Sequence, residues 1–454
     1  MSEKLDRFQK LNVKGQQLSA CVAPWANALV FALSILFIAL LSWHHLSLGN
    51  NAITLKASSD FHKFYLSAKR LDDGWSMYWI VPPRLKAGDP CHADTPAPQR
   101  AHNGQAGPLT LGGDIPCLGP NLNPPAFMLF MQPLARLPYK QAWWLWAGLS
   151  IICLAWTAWS VNSFTSPNSR IHFLVWLAAM MAFAPGMANF ELGQFGWLLA
   201  LMLTRSWLAL RQGHTSAAGL WLGAAIALKP FLLPFVVGLW LIKEPRALRT
   251  TLATTTGLTA LGVIAFGPQA SLDYLAMGQH VSWTATNWNG SWTGFFDRAF
   301  IGLPQSNWPT SQFLSRTLAA AFSLITLGVA LWILLRQQSC ANEASDSADT
   351  LFAMMTPAVL LISPLGWLYY FPTLILSFVI SYKQTRRAPG GILWRLMPAL
   401  PVALAMIPVP LSPSATPMHP AKVFGLDSLP WLTLFSTYAT AIVIQLRRTK
   451  SQQD

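Results

Sequence analysis

Charged residues are scarce in this sequence, and acids are the scarcer of the two signs. Only 11% of the 454 residues are charged, against roughly 25% in an average soluble domain. The chain has 17 acidic residues and 31 Lys and Arg, while 53% of its residues are hydrophobic. Apolar runs of spanning length recur from end to end, so the composition predicts a polytopic helical membrane protein with a single membrane domain.

Several functional motifs are also missing. The sequence has no Walker loop, no nucleophile motif and no zinc-ligand spacing, which disfavours ATP-driven transport and metalloprotease chemistry. We expect neither a cofactor nor a metal. The net charge of +14 would suggest a nucleic-acid partner in a soluble protein. Here the basic residues gather in short segments between apolar runs, so we expect no nucleic-acid partner.

Cysteine is rare as well, with five copies. Cys91 and Cys117 share the large loop that follows the first apolar run. If that loop faces an oxidising compartment, one alternative is a disulfide between them and the other is two free thiols.

The apolar runs predict an all-α bundle of about 12 transmembrane helices. Basic residues place the N-terminal segment 1–24 and the tail 447–454 in the cytoplasm by the positive-inside rule. The membrane domain covers 25–446, its first loop, 47–122, is large and extracytoplasmic, and we expect the plasma (inner) membrane. The predicted helices lie near 25–46, 139–162, 171–187, 193–210, 215–228, 230–242, 250–267, 311–335, 351–363, 365–381, 392–410 and 429–446.

Three points of this topology have alternatives. Residues 123–137 form a re-entrant or interfacial segment, or else a short true span. The runs on either side of Lys229-Pro230 and of Ser363-Pro364 form either hairpins or single helices kinked at proline, and the placement of basic residues favours hairpins. The 22 Trp residues are typical of an interfacial aromatic belt, although a few on the outer face could stack on sugars.

Polar side chains from distant parts of the chain converge on the predicted outer face. They come from Asp60, Gln194, Lys229, the segment 287–292 and the segment 363–370. Ionisable groups at membrane depth are costly and usually functional. These residues are therefore the candidates for a site.

Asp60 and Lys229 each have a structural and a functional interpretation. Asp60 follows Ser58 and Ser59 at the start of a helix-like stretch, so it could serve in helix capping or act as a catalytic base. Lys229 is the single charge in the stretch 220–235, and it either extends to the membrane interface or binds an anionic phosphate.

An ordered set of short motifs resembles a known family. It begins with Asp60, Tyr65 and Gly74…Tyr78, continues with Asn-Pro-Pro-Ala-Phe at 123–127 and Gly193-Gln194, and ends with Ala-Leu-Lys-Pro at 227–230, Asn289-Gly290-Ser291 and Ser363-Pro364…Trp367. In this order the motifs resemble glycosyltransferase family 87, membrane enzymes of the GT-C superfamily that use polyprenyl-phosphate sugars.

The resemblance implies a GT-C-type helical bundle and roles for individual residues. Asp60 would be the general base, and Lys229 would neutralise the donor phosphate. The other implied donor-binding residues are Gln194, Asn289, Trp367, Tyr369 and Tyr370. Two features depart from the family: Tyr369 and Tyr370 stand where members often carry a histidine, and the loop between about 80 and 122 is longer than usual.

The expected function is therefore transfer of a hexose, mannose-like, from a polyprenyl-phosphate donor to a lipid or glycan acceptor at the outer face. The expected partners are this donor, the acceptor and membrane lipids. A lipid-linked sugar flippase or transporter is an alternative, although transporters often show internal repeats and none is visible here. An inactive accessory membrane subunit is a second alternative, which the missing histidine keeps open.

Overall fold

The computed structural model describes residues 28–47, 60–72, 76–78, 121–166, 169–278, 281, 284–301, 309–338, 344–387, 390–409 and 425–453. These residues form an all-helical structure without β-strands. In chain order the helices are α1 (Ala28–Ser47), α2 (Asp60–Asp72), α3 (Pro125–Ala135), α4 (Tyr139–Thr165), α5 (Arg170–Met181), α6 (Ala184–Leu192), α7 (Gly196–Arg211), α8 (Thr215–Leu228), α9 (Pro234–Leu241), α10 (Pro245–Met277), α11 (Trp292–Phe300), α12 (Pro309–Gln338), α13 (Ala344–Ile362), α14 (Ile375–Arg387), α15 (Ile392–Leu396), α16 (Ala399–Ala405) and α17 (Leu429–Gln453).

Five of these helices are long and apolar enough to cross a membrane: α1, α4, α10, α12 and α17. The pair α5 and α6, bent by 62°, raises this number to six if it counts as one span. The described part of the chain is thus an all-α membrane protein, as its composition predicts. The remaining apolar helices are shorter, and the number of about 12 spans stays a prediction.

Helices α8, α9 and α10 form two consecutive hairpins. A Cβ added at Gly219 would lie 2.5 Å from the Ala247 carbonyl oxygen, and one at Gly223 would lie 2.6 Å from that of Thr251. Because both contacts advance in the same chain direction, α8 and α10 run parallel, and α9 must run back between them. The segments around Lys229-Pro230 therefore form a hairpin, which is the interpretation that the basic residues favour.

Side-chain contacts between helix termini define one end of the bundle. Arg211 at the end of α7 pairs with Asp349 near the start of α13, and Lys383 Nζ in α14 donates to the Phe164 carbonyl of α4 at 2.6 Å. Arg448 of α17 pairs with Asp346 at 2.8 Å. We call this the basic end. Since α7, α8, α13 and α14 each have one terminus there, their opposite termini meet at the other end.

Helix α3 covers the segment for which re-entrant and spanning alternatives were open. Its 11 residues extend about 17 Å, too short for a hydrocarbon core of about 30 Å. A Cβ added at Gly262 of α10 would lie 2.8 Å from the Ala126 amide nitrogen, so the start of α3 packs closely against α10. The Leu137 carbonyl, just beyond α3, accepts a 2.7 Å hydrogen bond from Tyr65 of α2. Helix α3 therefore does not cross the bundle.

Little of the predicted large loop 47–122 lies within the described residues. Helix α2 and residues 76–78 belong to it. Ser76 Oγ donates to Asp273 at 2.6 Å, beyond a kink in α10 at Gly267, whose φ of 78° suits glycine. Tyr78 donates to the Asn123 carbonyl at 3.0 Å. These contacts fasten this part of the loop to α10 and to the start of α3.

Candidate active site

Asp60 is the first residue of α2, where the positive end of the helix dipole favours a carboxylate. Both of its carboxylate oxygens have partners from the chain. Gln194 Nε2 donates to Oδ2 at 2.5 Å, and Lys63 Nζ lies 2.8 Å from Oδ1. The side chains of Asp60 and Lys63 keep 17% and 18% of their surface exposed, so the pair is accessible to a ligand.

Gln194 reaches Asp60 because of the turn between α6 and α7. Gly193 ends α6 with a φ of 66°, a conformation that favours glycine, and its carbonyl accepts from Trp146 Nε1 at 2.8 Å. A carboxylate only accepts hydrogen bonds, so the amide nitrogen of Gln194 must face Asp60. Its Oε1 is then buried without a hydrogen-bond partner among the described residues.

Lys229 ends α8 and is only 7% exposed. Its Nζ lies 5.2 Å from the centre of the Phe195 ring and 5.0 Å from that of Tyr370. Asp60 and Lys63 are both near enough to act on it electrostatically, the first by attraction and the second by repulsion. Among the described residues its ammonium has neither a hydrogen bond nor an ion pair.

Tyr369 and Tyr370 lie in a 3-10 helix, Leu368–Leu374, that follows the Ser363-Pro364 turn. Their rings contact each other edge to face, with centres 4.8 Å apart, and both hydroxyl groups lie within electrostatic range of Asp60. The Tyr369 carbonyl accepts from Asn189 at 3.2 Å. A Cβ added at Gly196 would overlap the same carbonyl oxygen, so the start of α7 packs directly against the tyrosine segment.

Asn289 joins two segments at this end of the bundle. Its Nδ2 donates to the carbonyls of Thr284 and Pro364 at 2.9 and 3.0 Å, and its Oδ1 accepts from the amides of Ser291 and Gly366 at 3.2 and 3.0 Å. All of its side-chain bonds thus go to backbone groups. The amide holds the segment after Ser363 in place.

Trp367 extends the site away from Asp60. Its ring centre lies 6.3 Å from that of Trp288 and 6.2 Å from that of Tyr369. A row of rings therefore leads from the two tyrosines to the Asn289 turn. Trp367 and Tyr369 are only 3% and 7% exposed, so the chain covers most of their ring surface and leaves only a small part for a ligand to touch.

The structure thus brings together five of the predicted site residues: Asp60, Gln194, Lys229, Tyr369 and Tyr370. Asn289 and Trp367 stand in the adjoining segment. The sequence did not single out Lys63, although its spacing of three residues from Asp60 in a helical stretch is a signal for an ion pair.

Cys91 and Cys117, the predicted candidates for a disulfide, lie outside the described residues. Within the described ranges, no group of three or more His, Cys, Asp or Glu is placed to hold a metal ion.

The arrangement offers three chemical functions in one place. A partly exposed carboxylate can accept a proton from a hydroxyl group. A buried ammonium without an anionic contact can stabilise a phosphate. The free oxygen of Gln194 can accept a hydrogen bond from a sugar hydroxyl.

Comparison with known proteins adds one finding. Residues 121–364, more than half of the chain, match the sequence model of glycosyltransferase family 87. The matched range includes Gln194, Lys229 and Asn289, while Asp60 lies before it and the two tyrosines lie after it. No curated protein and no solved structure matches the chain.

Proposed function

From the premise that the chain belongs to glycosyltransferase family 87, we propose that it transfers a hexose from a polyprenyl-phosphate donor to a hydroxyl group of a lipid or glycan acceptor. The observation that carries this proposal is the buried ammonium of Lys229, which lacks an anionic contact among the described residues and lies within electrostatic range of the Asp60 carboxylate. A lysine in this setting calls for an anion from the substrate.

In the proposed reaction, Asp60 takes the proton of the acceptor hydroxyl, and that oxygen forms a bond to the anomeric carbon of the hexose. The bond between this carbon and the phosphate oxygen breaks, and polyprenyl phosphate leaves with one more negative charge than it had in the donor. Lys229 stabilises this developing charge. Gln194 orients the carboxylate, and a mannose-like sugar would contact the uncovered parts of Tyr369 and Trp367.

The placement of the site at the outer face of the plasma membrane is part of the proposal. It is supported by the gathering of Arg211, Lys383 and Arg448 at the opposite end of the bundle. Short segments rich in Lys and Arg favour the cytoplasmic side. A donor carried by a polyprenyl chain would then reach the site from the bilayer.

The test is sugar transfer by purified protein in detergent, from radiolabelled polyprenyl-phosphate hexoses to a membrane lipid extract. Asp60→Asn should lower transfer by about 10²- to 10⁴-fold, the range for loss of a general base, while polyprenyl-phosphate binding persists. Glu191→Gln is the matched control, because this exposed acid lies one turn before Gln194 and should be dispensable.

Full turnover by Asp60→Asn would refute the assignment of the base. Absence of labelled product from the folded wild-type protein with every donor would instead favour a flippase or an accessory subunit.

A further inference from the structure

The three charges at the site do not balance. Asp60 contributes one negative charge, while Lys63 and Lys229 each contribute a positive one. Lys63 is paired with Asp60 at 2.8 Å and repels Lys229. With both lysines protonated, the cluster therefore carries one positive charge in excess, which an incoming anion would neutralise.

The two partners of Asp60 differ in how easily they can leave. Gln194 is 4% exposed and is fixed by the turn at Gly193. Lys63 lies on the same helix as Asp60, three residues on, and its long side chain is partly exposed. An ion pair that is partly exposed and lies between residues three apart on one helix is weaker than a fully buried one. A phosphate group therefore competes readily for Lys63.

We propose that Lys63 is a second ligand of the donor phosphate, and that it moves from Asp60 to the phosphate when the donor binds. This inference rests on the proposed function, because it takes the anion at Lys229 to be the donor phosphate. The exchange frees Asp60 Oδ1 for the acceptor hydroxyl while Gln194 keeps the carboxylate in position. It also places two cations beside the leaving phosphate, which gains a negative charge during transfer.

The exchange couples the two substrates. Without the donor, Lys63 occupies an oxygen of the base. Once the donor has bound, the base is available. Donor binding therefore precedes productive binding of the acceptor.

The test measures binding of a C55 polyprenyl monophosphate, with the uncharged polyprenol as reference, to detergent-purified full-length variants. The background is Asp60→Asn. In the wild type, removing Lys63 would leave an unpaired carboxylate that repels phosphate whether or not Lys63 touches the ligand. In the Asp60→Asn background, adding Lys63→Met should weaken binding about tenfold, the effect of one charged hydrogen bond.

Two further variants make the outcome specific. Asp60→Asn with Lys63→Arg keeps the positive charge and should restore most of the binding. Asp60→Asn with Lys69→Met removes an exposed lysine of the same helix and should leave binding unchanged. Melting temperatures confirm that each variant is folded.

Equal binding by Asp60→Asn and by Asp60→Asn with Lys63→Met would overturn the inference. Two other results would refute the proposed function itself. In the first, the wild type would bind the polyprenyl phosphate no more tightly than the polyprenol. In the second, Lys229→Met would leave binding of the phosphate unchanged. Binding that depends on Lys229 and not on Lys63 leaves the function standing and refutes only the exchange.

Discussion

Lys229 is held by aromatic rings rather than by acids. A buried charge is costly unless something compensates it, and here Phe195 and Tyr370 lie within about 6 Å of Nζ, where ring faces attract a cation. An ion pair would stabilise the lysine more, but it would also neutralise the charge that a phosphate needs. The rings therefore keep the ammonium in place and available to an anion.

This arrangement predicts different effects for two substitutions at Tyr370. Tyr370→Phe keeps the ring face beside Lys229 and should leave polyprenyl-phosphate binding nearly unchanged. Tyr370→Leu removes the ring and should weaken binding about 30-fold, since a desolvated cation–π contact contributes about 2 kcal/mol and each 1.4 kcal/mol is about tenfold. The measurement is the dissociation constant of each variant beside its melting temperature. An equal loss of affinity in both variants would show that binding depends on the Tyr370 hydroxyl group and not on its ring.

The sequence singled out residues that lie together in the structure, but it did not indicate what each one contacts. Asp60, Gln194, Lys229 and Tyr370 are far apart in the chain, yet each is a polar group that the predicted topology places at the outer face. Asn289 stands out in the same way, but its amide is engaged with backbone groups. Polarity at membrane depth signals that a partner exists and does not say whether that partner is a ligand or the chain itself.

At the scale of elements, the close contact between α8 and α10 depends on glycine. Small residues let helix backbones approach in a membrane, where hydrophobic attraction between helices is weak. Gly219 and Gly223 face the backbone of α10, and a Cβ at either position would overlap a carbonyl oxygen. Gly257, in α10 itself, has open space around its position.

We therefore expect a glycine-to-alanine substitution to affect the melting temperature differently at Gly223 and at Gly257. Gly223→Ala should separate α8 from α10 and lower the melting temperature by several degrees, because overpacking costs about 1–3 kcal/mol. Gly257→Ala should leave the melting temperature unchanged or raise it, since alanine is better than glycine in a helix by about 1 kcal/mol. The measurement is thermal unfolding of both variants in the same detergent. A drop for Gly257→Ala equal to that for Gly223→Ala would contradict the role of close packing.

Helix positions were predicted more accurately than helix breaks. The runs near 139–162 and 215–228 correspond to Tyr139–Thr165 and Thr215–Leu228. The bend between α5 and α6, and the 3-10 helix that follows Trp367, were not predicted. Hydropathy averages over a window and is insensitive to a break in hydrogen bonding, whereas tertiary contacts decide where such a break is tolerated.

On the scale of the whole molecule, the two ends of the bundle differ in chemistry. One end gathers Asp60, Gln194, Lys229 and the tyrosine segment. The other gathers basic side chains from the ends of α7, α14 and α17, each paired with an acid or a backbone carbonyl. A protein with this polarity has one orientation that agrees with the positive-inside rule, and in it the site faces away from the cytoplasm.

This orientation can be tested with two engineered cysteines in a chain whose five native cysteines are replaced by serine. Lys140→Cys marks the site end, because Lys140 is exposed and follows Tyr139, whose ring packs 5.8 Å from that of Phe61. Arg246→Cys marks the basic end at the exposed start of α10. A membrane-impermeant maleimide added to intact cells should label Lys140→Cys alone, and permeabilisation should expose Arg246→Cys. The reverse pattern would place Asp60 on the cytoplasmic side, where an acceptor beyond the membrane could not reach it, and would refute the proposed outer-face site even if the transfer chemistry itself were correct.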